Sequence, residues 1–305
     1  MALNFTGERF LPWMHGSKVH YEHLHRYNFA RQFIANKSII DIACGEGYGS
    51  SILSAEAKCV VGIDLDEDSI AHAQSKYQWP NLSYKRSSMF KLPFEDNTFD
   101  VAVCFEALEH VSEHDVLMHE ILRILKCDGL LIISTPNKKV FTDHHGYQMP
   151  FHIRELYFQE FRHLLFSYFT NCEFFGQKVL NGSDIWGLDR MRLGPQEEFV
   201  VERVRSEFSA RAEMPEPMFY ICVASNGDIP LHRVRSQLID DSLYAITETR
   251  ECIAQIQKLK EEIDKLKADG GVVSSAHTEI TGRSIKEIIG ISVKRLYAFF
   301  KKLFR

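Results

Sequence analysis

No two of the seven cysteines in this 305-residue chain form a C-x-x-C pair. That shortage argues against a disulfide framework or a structural zinc site and fits a reducing compartment. Several of the cysteines sit in apolar runs, where cysteine behaves as a small hydrophobe. No apolar run reaches the roughly 18 residues that a bilayer-spanning helix needs. The N-terminal stretch MALNFTGERFLPW has no basic segment leading into an apolar one, so a secretory leader is not expected. Excess positive charge is missing as well. The net charge is −5, which gives nucleic acid no general electrostatic hold and makes a nucleic-acid partner unexpected. The charge is unevenly spread: residues 284–305 hold six basic side chains against Glu287, a local +5, leaving −10 for the rest.

What is present is a β/α alternation that starts at Ser38. The sequence SIIDIACGEGYGS runs from β-branched residues into glycines at 45, 47 and 49 and then into a helix-compatible stretch. This reads as strand, tight turn and helix, with backbone N–H groups in the turn open to an anionic or carboxylate-bearing ligand. Further strands are expected at 59–63, 82–85, 99–105, 130–134, 171–179 and 218–224, with helices at 48–57, 66–77, 113–126 and 153–168. Ser112 and Asp115 suggest a capping box for the helix at 113–126. Near-continuous apolar strands alternating with helices imply a parallel sheet covered on both faces. The fold class expected is α/β, a Rossmann-like, doubly wound, seven-stranded and mostly parallel sheet. Residues 1–37 read as a helical cap, whose helix at 21–35 either covers a sheet edge or closes as a flap with Arg26 and Tyr27 facing a ligand. The stretch 181–216 gives no clear periodicity.

The turn lacks one more thing. Its third glycine falls at 49 rather than 50, so the nicotinamide-dinucleotide fingerprint fits poorly. Asp64 closes the second strand, where a carboxylate can accept both hydroxyls of a ribose; the plain alternative, a helix N-cap, can be filled by Asp66. Asp41 precedes the glycines, and Glu106 and Glu109 follow the fourth strand. Carboxylates around the cleft suit a ligand carrying positive charge rather than a pyrophosphate.

The segments DIACGEGYG, VVGIDLD, SSMFKLPFEDNTFDVAVCFEALEHV and LKCDGLLIISTPN resemble, in order and spacing, the class I S-adenosylmethionine-dependent methyltransferases of the type 11-like group. The resemblance covers about residues 38–180. GERF, HLHRY and MPFHIRELY resemble a bacterial subgroup associated with surface-polysaccharide synthesis. It implies S-adenosyl-L-methionine as cofactor and methyl transfer as the activity. Asp41, Ala43, Gly45 and Gly47 would line the methionine moiety. Asp64 would take the ribose and Leu65 would pack on adenine. Ser88 and Met89 stand where the family usually has an acidic residue followed by a small apolar one. Phe105 and Glu106 would lie beside the methionine end. His110 would face the acceptor as general base, since histidine titrates near neutral pH; a loop histidine that merely orients the chain fits the position equally well. Arg26, Tyr27, His145 and His152 are candidate acceptor contacts. His144 and His145 with Asp143 read as a solvated or core-satisfied set, and no metal is expected.

Beyond 38–227, the expected catalytic domain, residues 238–269 read as a helix. Ile256, Leu259, Ile263 and Leu266 form a short coiled-coil seam that could pair two copies of the chain or pack on the body. Residues 270–283 read as a linker and 284–305 as a basic amphipathic helix suited to a membrane surface or a glycosyltransferase partner. The expectation is a cytoplasmic enzyme, peripheral at the inner membrane face, that O-methylates a sugar in the synthesis of O-antigen or lipopolysaccharide-type glycans. Methylation of a quinone or other small metabolite is the alternative within enzymology. A catalytically silent scaffold working through its C-terminal helices is the alternative outside it.

Overall fold

The structure is a computed structural model that describes residues 10–12, 17–144, 146, 149–180, 200–204, 207–211, 215–230, 236–238 and 244–270. The chain divides into two compact units, one of Met1–Leu11 with Glu22–Ser236 and one of Pro12–Tyr21 with Gln237–Arg305. In chain order the elements are α1 (Ser17–Ala30), β1 (Ser38–Ile42), α2 (Tyr48–Ser54), β2 (Cys59–Asp64), α3 (Glu67–Lys76), β3 (Leu82–Arg86), β4 (Phe99–Cys104) and α4 (His114–Ile124). They continue with β5 (Leu125–Pro136), α5 (Phe158–Phe166), β6 (Asn171–Gln177), β7 (Val200–Val204), β8 (Glu207–Arg211), β9 (Phe219–Ser225) and α6 (Tyr244–Gly270).

Seven strands form one sheet in the order β3-β2-β1-β4-β5-β9-β6. β9 is antiparallel to both of its neighbours, and the other strand pairs are parallel. The expected seven-stranded, mostly parallel Rossmann-like sheet is therefore what the chain forms. The strand order reverses at β1, so β1 and β4 lie side by side while their crossovers depart to opposite sides. A crevice at the carboxyl ends of such strands is where open α/β sheets bind ligands.

Both faces of the sheet are buried at its central strands, which explains their unbroken apolar runs, while the edge strands β3 and β6 are largely exposed or half-buried. Ile40, Ile42, Ala102, Cys104, Leu131 and Ile133 join a core that includes Leu117, Met118 and Ile121 of α4 and Phe161 and Leu165 of α5. Their alternating neighbours Ile39, Val101, Val103, Leu130 and Ile132 join Phe29, Phe33 and Leu53 in the core on the other face.

Local departures from the sequence reading have physical causes. The residue before α4 is Glu113, and no side chain caps that helix. The Ser112 hydroxyl donates to Glu113 Oε2 at 2.7 Å, and Asp115 accepts from the Tyr168 hydroxyl at 2.7 Å, so the two capping-box candidates are engaged elsewhere. The helix expected from 153 begins only at Phe158, because the Ile153 and Arg154 N–H groups both donate to the Glu109 carbonyl, at 2.8 and 3.0 Å. β5 begins at Leu125 and reaches Pro136, longer than expected, with a register irregularity opposite Phe99 and Val101. The illegible stretch contains an antiparallel pair, β7 with β8. The chain leaves β6 and enters β9 at neighbouring points, where the Met218 N–H donates to the Gln177 carbonyl at 2.9 Å.

In the second unit α6 runs for 27 residues. Cys252, Ile256 and Leu259 are half-buried on it, whereas Ile253 is exposed. Residues 271–305, and with them the expected linker and basic helix, lie outside the described residues. No described helix is long and apolar enough to cross a membrane.

Candidate active site

The site is built where β1, β2 and β4 end. After β1 the chain turns through Ala43, Gly45 and Gly47 with φ of 59°, 56° and 91°. A non-glycine residue in that region is uncommon, and such strain tends to collect at functional turns. A Cβ placed on Gly45 would meet no atom beyond its chain neighbours within 4 Å among the described residues, so the space over its backbone is open to a ligand. Gly49 has the opposite reason for being glycine. A Cβ there would fall 1.9 Å from the Tyr27 ring of α1. The turn and α1 are thus fitted to each other.

Glu46, inside the turn, is fully buried and accepts from His72 (3.1 Å), Lys76 (3.1 Å) and Tyr77 (2.7 Å). It ties the turn to α3 and its C-terminal end. Nothing in the local sequence signals this role, because its partners lie more than twenty residues downstream.

Asp41 is completely buried and accepts from the Ser50 hydroxyl at 2.6 Å and the Tyr27 hydroxyl at 3.2 Å. Burial pushes its carboxyl up to about 7, against the opposing pull of these two hydrogen bonds. Asp64 bridges two turns: its Oδ2 accepts from the Gly45 N–H and its Oδ1 from the Asp66 N–H, both at 2.9 Å. Each carboxylate oxygen can accept more than one hydrogen bond, so the bridge leaves capacity for hydroxyl donors. Asp66 is the N-cap of α3, accepting from the Ser69 N–H at 2.7 Å. Leu65 next to it is 67% exposed, an apolar side chain standing open at the mouth of the cleft. The Ser88 hydroxyl accepts from the Phe90 N–H at 3.2 Å, turned into its own loop, and Met89 packs on the core.

Beyond β4, Phe105 is buried edge-on to Tyr27, with ring centroids 5.1 Å apart. Glu106 has a φ of 51°. Its N–H donates to Ser134 Oγ at 3.1 Å, and that hydroxyl donates back to Glu106 Oε1 at 2.6 Å. Arg26 Nη1 lies 3.7 Å from the same carboxylate oxygen and donates to Gln177 Oε1 at 2.8 Å. Arg26 is 1% exposed, with its guanidinium 4.8 Å from the Phe219 ring centroid. Arg26 and Tyr27 are therefore structural members of the crevice wall, packed beneath it rather than lying across it.

The acceptor side consists of the turn after Glu106 and the chain that follows β5. Glu109 is 1% exposed. Burial, with the neighbouring Glu106 charge, raises its carboxyl to about 8. His110 shares hydrogen bonding with the Phe151 carbonyl through Nδ1 at 3.1 Å, and its Nε2 lies 3.9 Å from Glu109 Oε1. The His110 and His152 rings meet edge-on at 5.1 Å. His152 Nδ1 bonds to Glu155 Oε1 at 2.6 Å, and Glu155 also accepts from Thr142. Of the candidate residues, the structure brings His110 and His152 together, while His144 is exposed at the end of a π-helical turn (Lys139–His144) and His145 lies outside the described residues. Glu109, expected as one of the carboxylates around the cleft, lies here, while Gln177 and Ser134 complete the site without having been assigned roles in it.

Comparison with known proteins bears on this geometry. Residues 40–133 match the family described as "Methyltransferase domain". That span runs from within β1 to within β5 and takes in the turns after β1, β2 and β4, though not the loop that carries His152. A "Probable S-adenosylmethionine-dependent methyltransferase" of Mycolicibacterium smegmatis is 33% identical over 173 residues, 54% of this chain and 64% of the relative. A ubiquinone biosynthesis O-methyltransferase of Hydrogenovibrio crunogenus is 33% identical over 118 residues, 37% of this chain and 49% of the relative. The chain thus spans less than two thirds of the length of these curated relatives. A crystal structure of a Pyrococcus horikoshii protein shares the fold, with a TM-score of 0.50 and 19% identity over 73% of this chain and 99% of that one. The domain match and the relatives imply S-adenosylmethionine as the cofactor. The residues present fit it: open space over Gly45, carboxylates at Asp64 and Glu106 for hydroxyls and a cation, and an exposed Leu65 for a flat ring.

Proposed function

We propose that this chain transfers a methyl group from S-adenosylmethionine to a hydroxyl oxygen, and that the acceptor is a sugar in the synthesis of a cell-surface glycan. The observation that carries the methyl-transfer reading is the cleft itself. An open glycine backbone, Asp64 and Glu106 converge at the ends of β1, β2 and β4, within the residues that match the methyltransferase domain. S-adenosylmethionine supplies an activated methyl group, so the protein's task is alignment and removal of one proton. Asp64 holds ribose hydroxyls. Glu106, oriented by Ser134 and Arg26, offers a carboxylate to the cationic end. The acceptor's proton is taken at the cluster of Glu109, His110 and His152, with His110 Nε2 as the receiving atom.

The sugar reading is supported by the subgroup resemblance of GERF, HLHRY and MPFHIRELY. The exposed aromatic rings of Phe151 and Tyr157 beside polar groups such as Asp143 also suit a carbohydrate, which stacks one face and hydrogen-bonds at its rim. A quinone acceptor is the second reading, favoured by the Hydrogenovibrio relative's name. Residues 284–305 would hold the enzyme at a membrane face or on a glycosyltransferase, and the α6 seam would pair two copies.

Isothermal titration tests the cofactor: absence of S-adenosylmethionine binding to the full chain would sink the enzyme reading and favour a scaffold. His110→Ala should keep cofactor affinity and lose on the order of 100-fold or more in turnover. Mass spectrometry of surface glycans from a deletion strain should show a missing methyl group. A normal glycan with an undermethylated quinone would replace the sugar reading with the quinone one.

A further inference from the structure

We infer that Glu109, His110 and His152 form a binding site for a divalent transition-metal ion of the zinc type. One donor atom from each of the three residues lies within 4.8 Å of the others, a spread that side-chain rotation can close onto one ion. The donor set, two imidazoles and a carboxylate, suits zinc or cobalt rather than magnesium, which prefers oxygen ligands.

The surroundings of each donor point the same way. Metal-binding histidines usually engage one ring nitrogen with a carbonyl or carboxylate, which orients the other toward the ion. Both histidines here show that arrangement. His110 Nδ1 is held by the Phe151 carbonyl, and His152 Nδ1 by Glu155, whose second oxygen accepts from Thr142. In each ring Nε2 is then the nitrogen that would turn to the ion. Glu109 is buried; among the described residues it accepts from Thr135 Oγ1 at a long 3.4 Å and lies 3.9 Å from His110 Nε2. With so little hydrogen bonding, its oxygens keep lone pairs for a ligand. The loop carrying His152 is also fixed. The Ile153 and Arg154 N–H groups grip the Glu109 carbonyl, so the backbone of one ligand positions that of another.

Three protein donors leave a coordination position for an acceptor oxygen. A hydroxyl there would lose its proton more readily, to solvent when the ion is bound and His110 is a ligand, and to His110 Nε2 only when the ion is absent. This catalytic use rests on the methyl-transfer reading, whereas metal binding does not, so the two are tested apart.

The test is titration of the full chain with Zn²⁺, and with Co²⁺ as a spectroscopic probe, without S-adenosylmethionine. The expected result is one equivalent bound, with a Co²⁺ spectrum of nitrogen and oxygen ligation. Glu109→Gln and His152→Ala should each weaken binding at least 10-fold. Glu155→Gln, which leaves the three donors in place, should weaken it by roughly 10-fold through loss of ring orientation. Absence of binding to the wild-type chain would overturn the inference, whether or not the variants fold. So would thiolate-to-cobalt charge-transfer bands, which would place the ion on cysteines, or unchanged affinity in His152→Ala.

Discussion

The two ends of the crevice are made from different materials. At the β1–β2 end the working surface is backbone: a turn of left-handed residues with open space over Gly45, braced from behind by Asp64, Glu46 and Tyr27. At the β4–β5 end it is side chain: Glu109, His110 and His152, brought together from a turn and a distant loop. A backbone cradle must recognise a constant ligand, because its shape depends on tight packing that tolerates little change. A side-chain cluster on a pinned loop can be altered one residue at a time. The difference teaches that damage to the first end should act through folding and cofactor affinity, and damage to the second through turnover.

Gly49→Ala gives the strongest way to break that contrast. Its Cβ overlaps the Tyr27 ring, so a loss on the order of 3 kcal/mol in stability is expected, read from a denaturant melt. A stable variant would show that α1 docks loosely. Asp64→Ala should come next, removing both the ribose acceptor and the bridge between two turns. Cofactor affinity should fall by roughly 10- to 100-fold, about 1.4 to 2.7 kcal/mol in binding, while Zn²⁺ binding at the other end is unchanged. Equal loss of both would mean that the two ends are one unit.

Asp41 sharpens the comparison through pH. Its carboxyl is raised to about 7 in the folded protein, so the native state holds a proton that the unfolded chain releases near pH 4. The stabilisation is complete below that lower value and is lost as pH rises through about 7. Asp41→Asn should flatten this part of the stability profile in thermal melts across pH 4 to 8; an unaltered slope would show that another group supplies it. Ser112→Ala should do least. Its hydroxyl bonds to Glu113 rather than capping α4, so the cost should be within about 0.5 kcal/mol instead of the ~1 kcal/mol of a lost N-cap.

The legible parts of this molecule are those decided by neighbours in the chain. The β/α order followed from apolar runs whose residues feed two faces, as Ile39 and Ile40 do, and the glycine turn from its own spacing. The illegible parts depend on distant partners. Arg26 is fixed by Gln177, 151 positions away. The stretch 153–168 reads as a helix, but two amides committed to the Glu109 carbonyl delay its start until Phe158. Asp115 suits a capping box by spacing, yet Tyr168 takes its carboxylate. His110 and His152 could each be noted alone; their meeting required the loop to be pinned.

The hydrogen bond between Met218 N–H and the Gln177 carbonyl has an evolutionary consequence. It closes residues 178–217 into an excursion whose two stems already belong to adjacent strands of the sheet. Lengthening such an excursion is cheap, about 0.6 kcal/mol for each doubling, because its ends are held whatever lies between them. The stems emerge beside Arg26 and Phe219, at the crevice. Selection could therefore exchange this whole segment, as one exchanges a tool head on a fixed handle, and retarget the crevice without disturbing the seven-stranded sheet.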